Sequence, residues 1–173
     1  MKILIAYGSA HGATQSIAER IEERIRAGNL GNTTLAAFSK TLSASDFDVL
    51  ILGSAIQMGS WISPSQKFVK RFSAYLKDNP KPTWAFSVGL PPAIGVAAEE
   101  KKMETWLRKY VPLRDHTLFQ GMWLEKGMGG CFKFFFSCFG GKFEDRRNWT
   151  VIEEWADSIV QELGVDQQVQ GGN

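Results

Sequence analysis

The sequence predicts an α/β fold with a doubly wound, five-stranded parallel sheet and helices on both of its faces. Two observations support this fold class. Short apolar runs of strand length alternate along the chain with segments whose apolar residues recur at helical spacing. Glycine-bearing loops follow the first, third and fourth predicted strands. In such sheets ligands bind outside the carboxyl ends of the strands, so the functional residues are expected in these loops.

Five segments are predicted as strands, in the spatial order 2-1-3-4-5: residues 3–7, 33–38, 48–53, 83–88 and 117–123. The third is the clearest, because Val49, Leu50, Ile51 and Leu52 would be apolar on both faces of a strand. A central parallel strand is covered by helices on both sides and needs this continuity.

Four helices are predicted from apolar residues at helical spacing. The first ends at Gly28, and Pro64 stands at the start of the second, where its fixed φ suits a helix. The inward-facing residues are Ile17, Ile21 and Ile25 in the first helix, Phe68, Phe72, Tyr75 and Leu76 in the second, Met103, Trp106, Leu107 and Tyr110 in the third, and Ile152, Trp155, Ile159 and Leu163 in the last.

The length and composition indicate a single globular domain. The chain has 173 residues, of which 44% are hydrophobic and 22% charged, enough to bury a core. We expect one domain over residues 1–165 with an insertion at about 125–143 and a flexible tail over 166–173. Lys+Arg number 20 and Asp+Glu 18, a near-neutral balance that gives no support for a dedicated nucleic-acid binder, so no nucleic-acid partner is expected.

Cysteine and histidine content argues against a metal site or a disulfide framework. The chain holds two of each, too few for an ordinary four-ligand zinc site without carboxylates. Cys131 and Cys138 are therefore expected as buried free thiols. No signal peptide is recognisable, and no apolar stretch approaches the ~20 residues that span a bilayer, so the expected location is cytoplasmic.

The first glycine-rich loop has the chemistry of a phosphate site. Gly8-Ser9-Ala10-His11-Gly12-Ala13-Thr14 joins the first strand to the first helix, whose free N–H groups and dipole favour an anion. The hydroxyls of Ser9 and Thr14 can donate to phosphate oxygens. The alternative is a tight turn with a hydroxyl cap. The loop lacks both Gly-Lys-Thr and Gly-x-Gly-x-x-Gly, which disfavours a P-loop or a dinucleotide site.

At these residues the chain resembles the flavodoxin family. Tyr7-Gly8-Ser9-Ala10-His11-Gly12-Ala13-Thr14 is similar to the family's phosphate loop, Thr-x-Thr-Gly-x-Thr, with His11 in place of a middle hydroxyl. Residues 48–61, 86–90 and 140–155 resemble the remaining signatures of one branch. That branch includes the menaquinone-dependent protoporphyrinogen IX dehydrogenases and uncharacterised flavodoxin-domain proteins. The resemblance covers nearly the whole chain.

The resemblance implies a flavodoxin-like fold with FMN as cofactor and no metal. The phosphate would lie on Ser9, Ala10, His11, Gly12, Ala13 and Thr14. The ring edge would lie against Ser54, Ala55, Ile56, Gln57, Met58, Gly59 and Trp61, and its other side would be closed by Ser87, Val88, Gly89 and Leu90. No catalytic residue is expected, because the redox chemistry belongs to the flavin.

Four of these residues have specific expected roles. Gly59 tolerates both signs of φ, so its peptide can suit oxidised or reduced flavin. Met58 stands where the branch often has tyrosine, and its sulfur can pack on the ring. Trp61 either stacks on the flavin or is a core residue at the entry to a helix. His11 either donates to phosphate when protonated or is an exposed loop residue.

The segment from Phe132 to Phe139 holds five of the 12 phenylalanines and is flanked by lysines and arginines. Three interpretations compete: a buried element, a homodimer contact, or peripheral contact with an anionic membrane. The insertion is shorter than that of the branch. Asp145, Arg146 and Arg147 are expected to form a cap and ion pairs before the last helix, and binding of an acidic substrate is the alternative.

Three functions follow from the resemblance. The first is an FMN-dependent oxidoreductase with a quinone as electron partner, for which protoporphyrinogen IX dehydrogenase is the named candidate. The second is a flavodoxin-type electron carrier without its own substrate. Such carriers are typically strongly acidic, and the net charge of +2 counts against it. The third is an interaction module that has lost flavin, which the retained Ser9, Gly12, Thr14 and Gly59 disfavour.

Overall fold

The structure, a computed structural model, describes residues 1–89, 95–122 and 145–171. Strands and helices alternate along the chain as the apolar patterning predicts. A short 3₁₀ turn at Ala44–Asp46 precedes the third strand. The elements are β1 (Lys2–Gly8), α1 (Ala13–Ala27), β2 (Asn32–Ala37), β3 (Val49–Gln57), β4 (Ser60–Trp61), α2 (Ser63–Asp78), β5 (Thr83–Gly89), α3 (Val96–Leu107), β6 (Leu113–Gln120) and α4 (Trp149–Gly171).

Five parallel strands form the sheet in the order β2-β1-β3-β5-β6. This confirms the predicted order 2-1-3-4-5, because the additional strand β4 has only two residues and pairs antiparallel with the end of β3 alone. Ile56 pairs with Trp61 and Gln57 with Ser60, so β3 and β4 form a small hairpin beyond the edge of the main sheet.

The fifth predicted strand is placed too late in the chain. The sequence predicts it over residues 117–123, whereas β6 runs Leu113–Gln120, and residue 123 lies outside the described part of the chain. The start of the strand was not recognised because Arg114 and Asp115 are charged, as loop residues often are. Both side chains have partners on α4: Arg114 pairs with Asp166 at 2.7 Å, and Asp115 accepts a hydrogen bond from Trp155 Nε1.

The core has two layers, one on each face of the sheet. On the first face, Ile3 and Ile5 pack with inward-facing residues of α1 and α4. On the second, Leu4 and Ala6 pack with residues of α2 and α3. Alternate residues of a strand point to opposite faces, so the continuously apolar β1 and β3 serve both layers. The burial of both faces holds the ends of these strands in place.

Helix spacing predicted the buried residues well. In the last helix Ile152, Trp155, Ile159 and Leu163 are all buried. In α2, Pro64 occupies the first turn, and the residues facing the core include Phe68 and Leu76, while Phe72 and Tyr75 are half-buried. Tyr110 lies beyond the end of α3 at Leu107, and its ring packs at a tilt against that of Trp106 with centroids 5.3 Å apart.

Helix α4 continues past residue 165, where the sequence predicts that the domain ends, to Gly171. Two contacts tie this extension to the domain. Asp166 forms the ion pair with Arg114, and Gln167 Nε2 donates to the carbonyl of Leu30 at 3.0 Å. The predicted insertion at about 125–143 falls outside the described residues.

Two glycines offer opposite tests of the packing. A Cβ on Gly53, in the middle of β3, would lie 2.0 Å from Phe86 Cζ, and Phe86 is fully buried. We expect Gly53→Ala to lower the free energy of unfolding by about 3 kcal/mol through overpacking. In α4, a Cβ on Gly164 would have no neighbour within 4 Å. Alanine favours a helix more than glycine does, so Gly164→Ala is expected to raise the free energy of unfolding by about 1 kcal/mol. Urea denaturation measures both, and equal effects would contradict the packing described.

Candidate functional site

The three predicted site segments meet at the carboxyl ends of neighbouring strands. In the parallel register Gly8 of β1 pairs with Ser54 of β3, and Ser54 pairs with Ser87 of β5. These residues stand in one row across three neighbouring strands, close to the carboxyl end of each. The loops that follow β1, β3 and β5 therefore open from the same place, where ligands bind in doubly wound sheets.

The loop after β1 leaves the start of α1 open to an anion. Gly12, the residue before the helix, adopts a left-handed φ of +88°, which glycine takes without strain. Ser9 Oγ accepts a hydrogen bond from Gly12 N at 3.0 Å, so it folds the loop rather than capping the first helical turn. The helix has no side-chain cap and no acidic residue in its first turn. Its N-terminal N–H groups and its dipole thus favour a bound anion.

The loop residues differ in their exposure. Ala10 and His11 are exposed and Ser9 is half-buried, whereas Ala13 and Thr14 are buried in the first turn of α1. The exposed His11 fits either of its two interpretations. Of the two hydroxyl residues expected to contact phosphate, Ser9 is the more exposed. Ser9 is half-buried, whereas Thr14 retains only 1% of its surface.

The loop after β3 is a two-residue hairpin turn with two left-handed residues. Met58 has φ +51° and Gly59 has φ +69° between the paired residues Gln57 and Ser60. This conformation costs a non-glycine residue about 1–2 kcal/mol. The side chain of Met58 is also fully exposed, at 102% of its reference surface. The turn therefore combines a left-handed non-glycine residue with an exposed apolar side chain.

Trp61 of β4 is a core residue in this structure. It retains 2% of its surface, and its ring centroid lies 5.8 Å from that of Trp106. Its Nε1 donates a hydrogen bond of 2.8 Å to Ser87 Oγ. These contacts favour the core interpretation of Trp61 over stacking on a flavin. Of the two candidates for ring contact, Met58 is the one whose side chain is accessible.

Ser87 also joins the site to a buried histidine. Ser87 Oγ and His116 Nε2 lie 2.8 Å apart in a hydrogen bond, which extends the chain from Trp61 through Ser87 to β6. Burial lowers the pKa of His116 from 6.5 to about 4, against the opposing effect of the carboxylates of Glu104 and Asp115. His116 is therefore neutral near pH 7. Its Nδ1 is buried and has no hydrogen-bond partner among the described residues.

Sequence reasoning did not single out His116. One signal is present: His116 lies in β6 between the buried residues Leu113 and Leu118 and is itself buried. The contact with Ser87 spans 29 residues of sequence, and nothing in the spacing predicts it.

A second missed residue is Lys102 on α3. Its Nζ donates a hydrogen bond of 2.8 Å to the carbonyl oxygen of Gly59, 43 residues away in sequence. This contact places a cation at the strained hairpin turn.

The remaining segment, after β5, is described only in part. Ser87 and Val88 are buried and Gly89 is half-buried, and the carbonyl of Gly89 accepts a hydrogen bond from Gly121 N. Leu90 lies outside the described residues. Ala55 and Ile56, on the approach to the hairpin, are half-buried, and Gln57 is exposed.

Near the loop after β1, Arg147 forms the ion pair that the sequence predicts. Its guanidinium makes two hydrogen bonds to the Asp145 carboxylate, which lower the pKa of that carboxyl, and donates to Ser16 Oγ on α1 at 2.6 Å. The expected cap is provided by a different residue. Asn148 Oδ1 accepts from Val151 N at 3.3 Å at the start of α4.

The described ranges, 1–89, 95–122 and 145–171, contain no group of three or more histidine, cysteine or acidic side chains arranged to hold a metal ion. They also contain no helix long and apolar enough to cross a membrane. The segment from Phe132 to Phe139, with both cysteines, lies outside these ranges.

Comparison with known proteins assigns the chain to a family. The model of the flavodoxin domain family matches residues 4–141, more than half of the chain. The chain belongs to the flavodoxin family. Its cofactor is FMN, and it is an electron-transfer protein that acts with a redox partner. None of the curated proteins compared matches the chain.

Solved structures show the same fold. A flavodoxin from the domain Archaea is 15% identical with a TM-score of 0.57, and 95% of this chain covers 99% of that one. A point mutant of flavodoxin from Pseudomonas aeruginosa gives 13% identity and a TM-score of 0.62, with coverage of 95% and 99%. Rubredoxin oxygen:oxidoreductase from Desulfovibrio gigas is 14% identical with a TM-score of 0.59, and 95% of this chain matches 36% of that one.

The described residues fit FMN. The uncapped start of α1, with Gly12 in the left-handed region and Ser9 Oγ at the loop, suits a phosphate monoester. The exposed apolar Met58 lies on the neighbouring strand's loop, where a ring edge can contact it. When bound, FMN supplies the electron-accepting and electron-donating ring of this flavodoxin-family protein.

The depressed pKa of His116 predicts an acid-sensitive contribution to stability. Below about pH 6.5 the unfolded chain binds a proton that the folded chain does not bind until about pH 4. Stability is therefore lost as pH falls through this window, by about 3 kcal/mol in total from this group. We expect His116→Asn to flatten the curve of unfolding free energy between these two values, measured by urea denaturation. Parallel curves for the two proteins would contradict the lowered pKa, because they would show that His116 binds its proton equally in the folded and unfolded chain.

Proposed function

We propose that this flavodoxin-family protein is an FMN-dependent oxidoreductase that exchanges electrons with a small lipophilic partner such as a quinone. The observation that carries the proposal is the pairing of an open anion site at the start of α1 with a fully exposed apolar turn at Met58. The first suits the phosphate of FMN. The second gives the exposed edge of the ring an apolar neighbour, which favours a lipophilic partner over a polar protein surface.

The proposed cofactor site comprises the three loops expected from the sequence. Ser9 and the backbone around Gly12 would bind the phosphate. Met58 and Gly59 would contact the ring edge, and Ser87 with Gly89 would support its other side. The hydrogen bonds from Trp61 to Ser87 and between Ser87 and His116 hold the second and third loops together beneath the ring position. No side chain needs to act as an acid or base in this role.

The overall charge supports an oxidoreductase over a carrier that docks on basic proteins. Steering by a strongly acidic surface is the usual device of such carriers, and this chain has a net charge of +2. Protoporphyrinogen IX dehydrogenase remains the named candidate within the branch, although Met58 and the short insertion depart from its pattern. Contact of the segment between Phe132 and Phe139 with a membrane or a second copy, like the expected cytoplasmic location, stays a prediction from the sequence.

FMN binding is tested by fluorescence quenching with FMN and with riboflavin, which lacks the phosphate. We expect wild-type protein to bind FMN far more tightly than riboflavin. Ser9→Ala removes the hydroxyl that accepts a hydrogen bond from Gly12 N and that, in this proposal, donates to the phosphate. It should weaken FMN binding about tenfold, the equivalent of one hydrogen bond to a charged group, and leave riboflavin binding unchanged.

The matched control is Ser45→Ala, an exposed serine in the 3₁₀ turn that precedes β3, at the opposite end of that strand from the site loops, which should bind FMN as wild type does. Failure of the wild-type protein to quench FMN, or equal affinities for FMN and riboflavin, would contradict the proposed phosphate site.

The choice of partner is tested with FMN-loaded protein that is photoreduced in the absence of oxygen, with EDTA as the electron donor. We expect a soluble naphthoquinone to reoxidise it with saturation, because the exposed Met58 side chain offers an apolar contact. Met58→Asn keeps the left-handed turn, which asparagine tolerates, but removes that surface, and should raise the apparent KM for the quinone about fivefold, a loss of about 1 kcal/mol of apolar contact.

Val165→Thr is the control for the partner test, since Val165 is an exposed apolar residue on α4 and its loss should not alter KM. Oxidation by quinone at the rate of free reduced FMN would indicate a carrier instead. Saturable oxidation of protoporphyrinogen IX would identify the named dehydrogenase.

A further inference from the structure

We propose that Lys102 sets the reduction potential of the bound flavin by holding a positive charge at the turn between β3 and β4. The inference rests on the proposed function, since it takes the ring edge to meet that turn. It adds a potential-determining residue from α3, an element outside the three loops that form the proposed site.

The geometry at the turn is direct. Lys102 Nζ lies 2.8 Å from the carbonyl oxygen of Gly59. A Cβ added to Gly59 would lie 3.0 Å from the same Nζ, so the ammonium group sits against this residue as well as on its carbonyl. Gly59 follows Met58, the exposed residue proposed to contact the ring.

The helix that carries Lys102 is well anchored. Its neighbour Met103 and the later Leu107 are buried in the core. Glu100 Oε1 accepts a hydrogen bond of 2.8 Å from Leu118 N on β6. One turn further along α3, Trp106 packs against Trp61 of β4. The helix thus contacts the hairpin at two places, through Lys102 and through Trp106. The packing of α3 fixes the backbone at Lys102 and so brings its charge close to the turn.

No described carboxylate neutralises the charge of Lys102. Within the part of the chain that the structure describes, no carboxylate forms an ion pair with it, and its one hydrogen bond is to the neutral carbonyl of Gly59. Reduction adds electrons to the flavin, and a cation close to the ring stabilises the reduced form more than the oxidised form. Lys102 should therefore raise the reduction potential.

Lys102 can affect the reduction potential through its charge or through its hydrogen bond to Gly59, and substitutions separate the two effects. Lys102→Arg keeps a cationic donor. Lys102→Gln keeps a donor without the charge, and Lys102→Met keeps an apolar stem with neither. Lys101→Gln is the matched control, because it removes the same charge from the preceding exposed residue of α3, for which the structure gives no contact with the turn.

The experiment measures the midpoint potential of bound FMN by equilibration with redox dyes, and the dissociation constant of oxidised FMN by fluorescence. We expect Lys102→Gln to lose about tenfold in preference for reduced over oxidised FMN, which is about 29.6 mV for a two-electron couple. Lys102→Met should lose at least as much, while Lys102→Arg and Lys101→Gln keep the wild-type value. The difference should shrink at about 1 M salt, where screening is strong.

Three results would overturn the inference. A wild-type potential in Lys102→Gln would show that the charge has no effect, and equal shifts in Lys102→Gln and Lys101→Gln would show a general surface-charge effect. A shifted potential in Lys102→Met alone would assign the effect to the hydrogen bond. Failure of wild-type protein to bind FMN at all is a different outcome, which overturns the proposed function as well.

Discussion

The parallel alignment of β1, β3 and β5 is the constraint on which the rest of the site depends. Gly8, Ser54 and Ser87 stand in one row because their strands pair in that register. A shift of one residue would turn the side chains of β3 to the wrong faces and separate the loops. Continuous apolar burial fixes the register, since Leu50 and Ile51 belong to different core layers. The same packing that stabilises the sheet therefore brings the three loops together.

One hydroxyl connects this alignment to the hairpin above it. Ser87 Oγ accepts the Trp61 indole hydrogen and bonds to His116, so a single buried atom links β4, β5 and β6. The arrangement needs His116 to remain neutral, because a buried charge without a partner would cost several kcal/mol. The low pKa of His116 is the consequence of that burial. Polar groups in this core are thus used for alignment of the loops, at the expense of stability in acid.

The sequence contains enough to predict the main elements and the three loops but not the contacts between them. Strand β3 is recognisable because its apolar run serves both faces, and the helices because their buried residues recur at helical spacing. The start of β6 was missed because Arg114 and Asp115 look like loop residues until α4 supplies their partners. Lys102 and His116 could not be found, since their contacts with Gly59 and Ser87 join residues far apart in sequence.

The strained turn at Met58 persists because its surroundings determine it from several sides. Below it, β4 pairs with β3, and Trp61 is fixed by its hydrogen bond to Ser87 and its packing on Trp106. Beside it, Lys102 binds the carbonyl of Gly59. A left-handed, fully exposed methionine lowers stability, and the proposed contact with the flavin would offset that cost. In the proposed function this apolar, polarizable side chain lies beside the flavin, where a flat ring and a lipophilic partner would both contact it.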